Sequence, residues 1–202
     1  FPIGAKRVLF NDDYYPALSR PNVELVTDAI DRIEPEGVRS RTGELHAADV
    51  IIYATGFKST DFLAPMQITG RGGLDLKLEW SKGARAYLGV TVTGFPNFFM
   101  LYGPNTNLGH NSILVMIEAQ VGYVLDALAK MKTRGVKRIE VRRDVLEDYN
   151  RSLQQDLARS VWAATGASWY KLADGTITNN WPHSTIRYQR LLREAKLEDY
   201  DT

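Results

Sequence analysis

The sequence predicts an α/β fold, for three reasons. The chain has 202 residues, of which 44% are hydrophobic and 24% charged, so it is long enough to bury the core of a globular domain. A continuous β-branched run at Asp49–Tyr53 is typical of a strand buried on both faces of a parallel sheet. Two later segments, 112–133 and 144–161, repeat apolar side chains every three or four positions, which indicates two long helices.

The first 56 residues predict short strands and turns. Gly37–Ser40 and Glu44–His46 flank a turn sequence, Arg41-Thr42-Gly43, which indicates a β-hairpin. The run Asp49–Tyr53 then ends at Ala54-Thr55-Gly56, whose small residues permit a close approach of the backbone to a neighbour or a ligand. We expect the remaining elements of this part at Arg7–Phe10, Val23–Val26 and Ala29–Ile33 as strands, and at Tyr14–Ser19 as a helical turn.

The second part predicts a strand at Asn97–Leu101, a polar loop at Gly103–Asn111 and then the two helices. Asn111 is a candidate N-cap of the first helix and Gly135 its stop, followed by a short strand at Val136–Val141. Asp144 is a candidate cap of the second helix. The apolar stripes expected to face the core are Ile113, Ile117, Val121, Val124, Leu128 and Met131 in the first helix, and Val145, Tyr149, Leu153, Leu157 and Val161 in the second.

Three segments have both a functional and a plain structural interpretation. The loop Gly103–Asn111 leads into a helix N-terminus, where it could hold an anion, or it could be an ordinary connection. Adjacent cations at Lys6-Arg7 could bind a phosphate or an anionic intermediate, although such pairs are often only solvated. The loop Ala173–Asn180 lies between Trp169 and Trp181 and could form a mobile lid over a cavity, or these aromatic side chains could belong to the core.

Composition and motifs exclude several classes of protein. The absence of cysteine excludes disulfides and cysteine-based metal sites, and three widely spaced histidines do not indicate a metal site. A net charge of +1 does not favour nucleic-acid binding. No apolar run is long enough for a transmembrane helix, and the first residues lack the apolar segment of a signal peptide, so we expect a cytoplasmic protein without a membrane span. Glycine-rich dinucleotide or phosphate loops and a serine-hydrolase elbow are also absent from the sequence.

Nine stretches, taken together and in this order, resemble the flavin-dependent Baeyer–Villiger monooxygenases. They extend over nearly the whole chain, and the series is far more specific than any one stretch. They are Lys6-Arg7, Asp13-Tyr14-Tyr15, Arg20–Val23, Asp49–Phe57, Tyr87–Val90, Gly94–Phe98, Tyr102–Asn105, Ile117–Gln120 and Ser168–Tyr170.

The resemblance implies a C-terminal portion of a two-dinucleotide-domain flavoprotein with Rossmann-like, three-layer domains. Members of this family are longer and carry glycine-rich loops for FAD and NADPH together with a family fingerprint, which this sequence lacks. Residues 1–56 would then close the NADPH-binding domain. Residues 57–202 would complete the FAD-binding domain, with a helical and loop-rich region that forms the wall of the substrate cavity and a lid. We expect the chain alone to be inactive.

The resemblance also implies a reaction and a set of site residues. NADPH would reduce FAD, and a C4a-peroxyflavin formed with O₂ would insert oxygen next to a ketone carbonyl, giving an ester or a lactone. Arg7 matches the catalytic arginine of the family, whose guanidinium stays protonated and can stabilise developing negative charge. Lys6 matches a residue that binds the 2′-phosphate of NADPH. The other matches are Thr55, Gly56, Gly103, Pro104, Asn105 and Trp169 for the cofactors, and Thr106, Asn107 and Leu108 for the substrate cavity, with no metal ligand.

Two other functions remain open. The family fingerprint would lie outside this sequence, so an N- or S-oxidising flavin monooxygenase is an alternative. A stand-alone, non-catalytic binding or assembly domain is another. If the chain lacks its usual neighbour, apolar surface would be exposed, and self-association would be expected.

Overall fold

The computed structural model of the chain describes residues 3–7, 9–166 and 168–202. These residues divide into two compact units. The larger unit contains the segment up to Arg7 together with Lys58–Thr202, and the smaller unit is Leu9–Phe57. The predicted division into 1–56 and 57–202 stays a prediction about domains: one boundary between the units lies at nearly the same residue, whereas the segment up to Arg7 belongs to the larger unit.

The smaller unit consists of a short helix and a three-stranded antiparallel sheet. Helix α1 is Tyr14–Leu18, and the strands are β1 at Ile30–Glu34, β2 at Gly37–Ser40 and β3 at Leu45–Ala47, in the order β1-β2-β3. Val38 pairs with His46, which confirms the predicted hairpin. Gly37 is required at its position, because a Cβ there would lie 2.1 Å from the carbonyl oxygen of His46.

Three strands predicted in or next to this unit are wrong. The described residues of Arg7–Phe10 form no strand, and Val8 lies outside the described residues. Val23–Val26 and Asp49–Tyr53 are also irregular, and Val50 and Ile52 are 77% and 86% exposed. A β-branched run becomes a buried strand only when other strands pair with it, and no described residue pairs with 49–53.

The larger unit is built around two long helices. Its short helices are α2 at Leu76–Glu79 and α5 at Thr185–Leu191, and its long helices are α3 at Ile113–Arg134 and α4 at Arg143–Leu157. A two-stranded antiparallel ribbon pairs β4 at Glu140–Val141 with β5 at Tyr200–Asp201. Among the described residues, no helix combines the length and apolar character that crossing a bilayer requires.

The extent of α3 was predicted closely, whereas α4 ends at Leu157, before the predicted Val161. The buried faces of both helices were predicted only in part. Helix α3 ends where Gly135 takes a left-handed conformation at φ 67°. Its N-cap is Ser112 rather than Asn111, and α4 begins at Arg143 with Asp144 in its first turn rather than at the cap. The buried residues are Met116, Gln120, Tyr123, Ala127 and Met131 in α3, and Leu146, Asn150, Leu153 and Leu157 in α4.

The predicted stripe of α3 is confirmed in part, because Met131 is buried and Ile113 and Val124 pack against the core. Val121 and Leu128 are exposed, whereas Tyr123 and Ala127 are buried. The helix carries apolar side chains on more than one face, so spacing alone could not tell which face is covered. The strands predicted at Asn97–Leu101 and Val136–Val141 are also wrong, except for Glu140–Val141.

Candidate active site

The candidate site is built on the loop that connects Leu101 to α3. Within this loop, Tyr102 and Asn105 adopt left-handed backbone conformations at φ 56° and 58°. Gly103 lies so close to a neighbouring chain segment that a Cβ would be 2.3 Å from the carbonyl oxygen of Gly89. The Thr106 hydroxyl donates to the carbonyl oxygen of Gly103 at 2.7 Å. The loop is therefore a tightly folded segment with an uncommon backbone rather than an ordinary connection.

A second segment, 177–181, holds this loop from one side. The backbone N–H groups of Asn105 and Asn107 donate to the backbone carbonyl oxygens of Thr178 and Asn179 at 2.8 and 2.9 Å. In return, the backbone N–H of Trp181 donates to the backbone carbonyl oxygen of Asn107 at 2.9 Å. The Asn105 side chain adds a bond to the carbonyl of Ile177 at 2.7 Å. We call residues 177–181 the anchor segment.

A buried glutamine of α3 holds the loop from beneath. Gln120 Oε1 accepts a hydrogen bond from the amide of Tyr102 at 2.8 Å, and its Nε2 donates to the hydroxyl of Tyr188 at 2.9 Å. That hydroxyl donates to the carbonyl of Leu88 at 2.6 Å, and burial raises the pKa of Tyr188 well above its ordinary value. Both polar side chains are thus neutral and fully paired, which makes this support rigid.

The positive end of α3 follows the loop directly. Ser112 Oγ accepts from the amide of Leu114, and Asn111 Oδ1 accepts from the amide of Ser112 at 2.7 Å. The first turn contains no acidic residue. The remaining first-turn N–H groups and the helix dipole therefore favour a negatively charged group at this end.

The segment that carries Lys6 and Arg7 belongs to the same unit. The buried Ala5 accepts a hydrogen bond from Ser168 Oγ at 2.9 Å, while Lys6 and Arg7 are exposed. Burial raises the pKa of Tyr102, and the positive charge of Arg7 opposes this with a smaller effect that lowers the pKa. Arg7 therefore acts electrostatically on the loop. The structure therefore brings the predicted catalytic arginine within electrostatic range of the loop.

Trp169 is fixed through its backbone while its ring stays half exposed. Its carbonyl oxygen accepts hydrogen bonds from Asn179 Nδ2 at 3.0 Å and from Ser59 Oγ. Its ring contacts that of Tyr170 in a tilted arrangement with 5.9 Å between centroids. The anchor segment thus contacts both the Trp169 turn and the loop.

The predicted site residues fall into three groups. Lys6, Arg7, Asn107 and Trp169 belong to the larger unit and have accessible side chains. Gly103, Pro104, Asn105, Thr106 and Leu108 belong to it as well but are buried, so the loop would present backbone rather than these side chains to a ligand. Thr55 and Gly56 are exposed residues of the smaller unit.

Two features of this site were missed by the sequence reasoning. Tyr102 and Gln120 lie in stretches that carry the resemblance, but their contacts with each other could not be predicted from those stretches. The anchor segment gave no signal, and the mobile lid at Ala173–Asn180 stays a prediction. Ile177–Asn180 are buried and hydrogen-bonded.

Comparisons with known proteins extend over almost the whole chain. An FAD-binding monooxygenase from Aspergillus niger, ktnD, is 44% identical over 99% of the chain. A Baeyer–Villiger monooxygenase from Pseudomonas aeruginosa is also 44% identical over 99% of the chain. The chain spans 34% of the first relative and 38% of the second. No family profile matches the chain.

Solved structures give the same result. An oxidized steroid monooxygenase bound to NADP matches 94% of the chain with a TM-score of 0.82 and 34% identity. OTEMO, solved in complex with FAD and NADP, matches 94% with a TM-score of 0.84 and 30% identity. The chain covers 37% and 36% of these two proteins, which is consistent with the predicted C-terminal part, and the predicted α/β fold class is confirmed. The resemblance is therefore also confirmed: over nearly its whole length this chain is similar to about a third of a Baeyer–Villiger monooxygenase.

Proposed function

We propose that this chain is the C-terminal part of an FAD- and NADPH-dependent monooxygenase that inserts one oxygen atom of O₂ next to a ketone carbonyl. The product would be an ester or a lactone. One observation supports the proposal above the others: Arg7, the loop 102–108 and the N-terminus of α3 belong to one compact unit, and Arg7 acts electrostatically on the loop. The cytoplasmic location stays a prediction.

The residues of the larger unit suit a flavin that becomes negatively charged on reduction. The N-terminus of α3 offers backbone N–H donors without an acidic side chain in its first turn, and Lys6 and Arg7 supply positive charge. When bound, FAD would supply the reducing equivalents from NADPH and the activated oxygen. Gly103, Pro104 and Asn105 would contact it through their backbone.

Arg7 would carry the chemistry that belongs to this chain. Its guanidinium carries a positive charge and several N–H donors, so it can donate hydrogen bonds to an oxygen that gains negative charge. Lys6 would bind the 2′-phosphate of NADPH, and the accessible Trp169 would contact the nicotinamide half. Thr55 and Gly56, which belong to the smaller unit, stay predicted cofactor-binding residues. Asn107 is the partly exposed member of the predicted cavity residues, so it would line the ketone site, with Thr106 and Leu108 behind it.

The test is the replacement of Arg7 by alanine in the full-length protein. We expect ketone oxygenation to fall about a hundredfold or more, while the rate of flavin reduction by NADPH stays within a few-fold. Arg193→Ala is the matched control, because Arg193 is an exposed arginine of the same unit. Equal oxygenation in Arg7→Ala and wild-type protein would contradict the proposal, and oxidation of amines or sulfides instead of ketones would favour the alternative monooxygenase.

Flavin binding by the chain itself is a separate measurement. We expect no FAD to be retained after desalting, because the sequence contains no glycine-rich loop for a dinucleotide pyrophosphate. Stoichiometric retention, measured by visible absorbance, would show that the chain holds the cofactor in another way, and NADPH oxidation by the chain alone would then be the next measurement.

A further inference from the structure

The loop at Tyr102 packs against a second turn whose backbone is equally uncommon. Leu88 adopts a φ of 55° and Tyr102 a φ of 56°, values that are rare for bulky residues and persist only where the surroundings enforce them. Glycines bring the two turns together, because a Cβ on Gly89 would lie 2.1 Å from Thr106 Cγ2 and a Cβ on Gly103 2.3 Å from the carbonyl oxygen of Gly89. The position of one turn therefore depends on that of the other.

Two fully buried side chains connect these two uncommon residues by hydrogen bonds. Gln120 Oε1 accepts from the backbone N–H of Tyr102 at 2.8 Å, and Gln120 Nε2 donates to the hydroxyl of Tyr188 at 2.9 Å. That hydroxyl donates to the carbonyl oxygen of Leu88 at 2.6 Å. Gln120 and Tyr188 are both 0% exposed. We call these two side chains the relay, and it ends at both turns on the residue with the left-handed backbone.

Each hydrogen bond of the relay has only one possible direction. The backbone N–H of Tyr102 can only donate, so the Gln120 atom that faces it is the amide oxygen. The amide nitrogen of Gln120 can only donate as well, so the Tyr188 oxygen accepts from it, and the phenol proton goes to the carbonyl oxygen of Leu88. An apolar residue in place of either member therefore leaves one of these backbone groups without its partner.

The relay acts on the part of the loop that is proposed to contact the flavin. Gly103, Pro104 and Asn105 follow Tyr102 directly, and the backbone N–H of Asn105 donates to the carbonyl oxygen of Thr178 in the anchor segment at 2.8 Å. The relay thus holds one end of this short stretch, and the anchor segment holds the other. These two attachments determine where the peptide groups of Gly103 and Pro104 lie.

We propose that Gln120 and Tyr188 are positioning residues for the flavin: the relay keeps Tyr102 in its left-handed conformation and thereby places the backbone of Gly103 and Pro104 against the cofactor. This proposal rests on the proposed function, because it assigns the relay to the same site. Both residues are fully buried, so they act through the loop and not by touching the cofactor or the ketone. The site would then depend on a residue of α5 that no motif of the sequence marks.

The first experiment measures hydrogen exchange of single backbone amides in the full-length protein saturated with FAD. Gln120→Leu nearly keeps the volume of the side chain and removes both of its hydrogen bonds. We expect the Tyr102 amide to exchange about tenfold faster because it loses its acceptor, whereas the Asn105 amide keeps its own acceptor and should exchange at the wild-type rate. Tyr188→Phe should accelerate the Tyr102 amide less. The double variant should exchange no faster there than Gln120→Leu alone, because Tyr188 acts on the loop through Gln120.

The second experiment measures how cofactor binding and turnover respond. We expect Gln120→Leu to raise the dissociation constant of FAD about tenfold, followed by flavin fluorescence during titration of the FAD-free full-length protein. At saturating FAD, kcat for ketone oxygenation should fall about tenfold, because a small misplacement of reacting groups can cost up to about a hundredfold. The KM for the ketone should stay unchanged, because neither member of the relay is exposed to it. Tyr188→Phe should change FAD affinity and kcat in the same direction by less.

Two matched controls separate positioning of the loop from a general loss of stability. Asn150→Leu removes another buried side-chain amide, which donates to the backbone carbonyl oxygens of Ala86 and Leu146. Tyr123→Phe removes another buried phenol hydroxyl, which pairs with the hydroxyl of Tyr200 at 2.8 Å. Both controls should keep the wild-type exchange rate of the Tyr102 amide and the wild-type affinity for FAD.

Wild-type exchange of the Tyr102 amide in Gln120→Leu would overturn the proposal, as would faster exchange with unchanged FAD affinity, or additive effects in the double variant. If Gln120→Leu does not fold, Tyr188→Phe decides, because it removes a single oxygen atom. Wild-type exchange and FAD affinity in that variant would then overturn the proposal. If the wild-type protein binds FAD but oxidises no ketone, the proposed function fails, and the exchange and affinity measurements still decide whether the relay positions the loop.

Discussion

The two units of the molecule differ in how they use their apolar side chains. The larger unit buries large side chains completely, among them Met116, Leu157 and Trp181. In the smaller unit, residues 9–57, the described residues that are buried are Gly37 and Ser40, neither of which contributes an apolar side chain. The smaller unit is therefore organised by the hydrogen bonds of a sheet with short loops, and the larger unit by a hydrophobic core.

This difference teaches which structure local sequence can specify. The turn Arg41-Thr42-Gly43 brings β2 and β3 together without any distant partner. The core of the larger unit instead joins residues far apart in the chain, as in the bond between Gln120 and Tyr188. A small sheet needs a buried apolar face for independent stability in water, and this one has none among its described residues, so the two units should respond very differently to substitution.

The largest expected effect comes from truncating a leucine in each unit. Leu157→Ala removes a fully buried side chain and should lower the free energy of unfolding of the larger unit by about 2–5 kcal/mol. Leu25 is 66% exposed, so Leu25→Ala should change stability by about 0.5 kcal/mol or less. Urea unfolding followed by tryptophan fluorescence reports on the larger unit, because all four tryptophans lie in it.

The smaller unit needs its own measurement, which amide hydrogen exchange of β1–β3 provides. Suppose that the loss of free energy derived from this exchange in Leu25→Ala were as large as the loss in Leu157→Ala derived from urea unfolding. Leu25 would then be buried against another surface in solution. Light scattering would then show whether a second copy of the chain covers it, which is the self-association expected from the sequence.

The helices and the hairpin could be predicted because their signals are local. Gly135 ends α3 in the left-handed conformation that glycine favours, and a polar cap precedes Ile113. The buried face of α3 could be predicted only in part, because Leu125 on one side and Ala127 on another are both compatible with a core. The run Asp49–Tyr53 has the composition of a strand, but composition does not provide a partner for it.

The candidate site was predicted only in part, for the same reason. Motif order pointed to Arg7 and to the loop at 103–108, both of which lie in the larger unit. The pairing of Asn107 with Asn180 joins segments more than seventy residues apart, and no local pattern marks Asn180. The contacts that orient a site are long-range, whereas the motifs that identify it are short.

The second expected effect comes from glycines that lie against a carbonyl oxygen. In Gly103→Ala the new Cβ would meet Gly89 O at 2.3 Å, and in Gly37→Ala it would meet His46 O at 2.1 Å. Since overpacking typically costs about 1–3 kcal/mol, Gly103→Ala should lower the urea midpoint seen by tryptophan fluorescence. Gly37→Ala should leave that midpoint unchanged and accelerate amide exchange in β2 and β3.

The control for this pair is Gly109→Ala, because the nearest atom to a Cβ there is 3.6 Å away, on Trp162. It should keep the wild-type midpoint. A midpoint lowered equally by Gly37→Ala and Gly103→Ala would show that the two units unfold as one, which would remove the distinction between them.

The smallest expected effect is on acid stability and compares one carboxylate in each unit. The hydrogen bond from Arg39 lowers the pKa of Glu34 from 4.5 to about 2, against a smaller opposing effect of burial. In the larger unit, hydrogen bonds from Arg71 and from the amide of Gly94 lower the pKa of Glu140, again against burial. In both cases the folded-state pKa lies below that of the unfolded chain.

A carboxylate with a lowered pKa stabilises the fold above the unfolded-state pKa, and this stabilisation is lost as the pH falls through the folded-state pKa. For Glu34 the loss falls between about pH 4.5 and about pH 2. Glu140→Gln should lower the free energy of unfolding of the larger unit by about 1 kcal/mol at neutral pH. In this variant, the free energy of unfolding measured by tryptophan fluorescence should also fall less steeply as the pH is lowered. Glu34→Gln should weaken only the loss of amide-exchange protection in β1 and β2 that occurs as the pH is lowered. If Glu34→Gln also altered the pH dependence of unfolding measured by tryptophan fluorescence, the stability of the sheet in the smaller unit would be coupled to that of the core in the larger unit. The contrast between local and long-range organisation would then not extend to the stability of the two units.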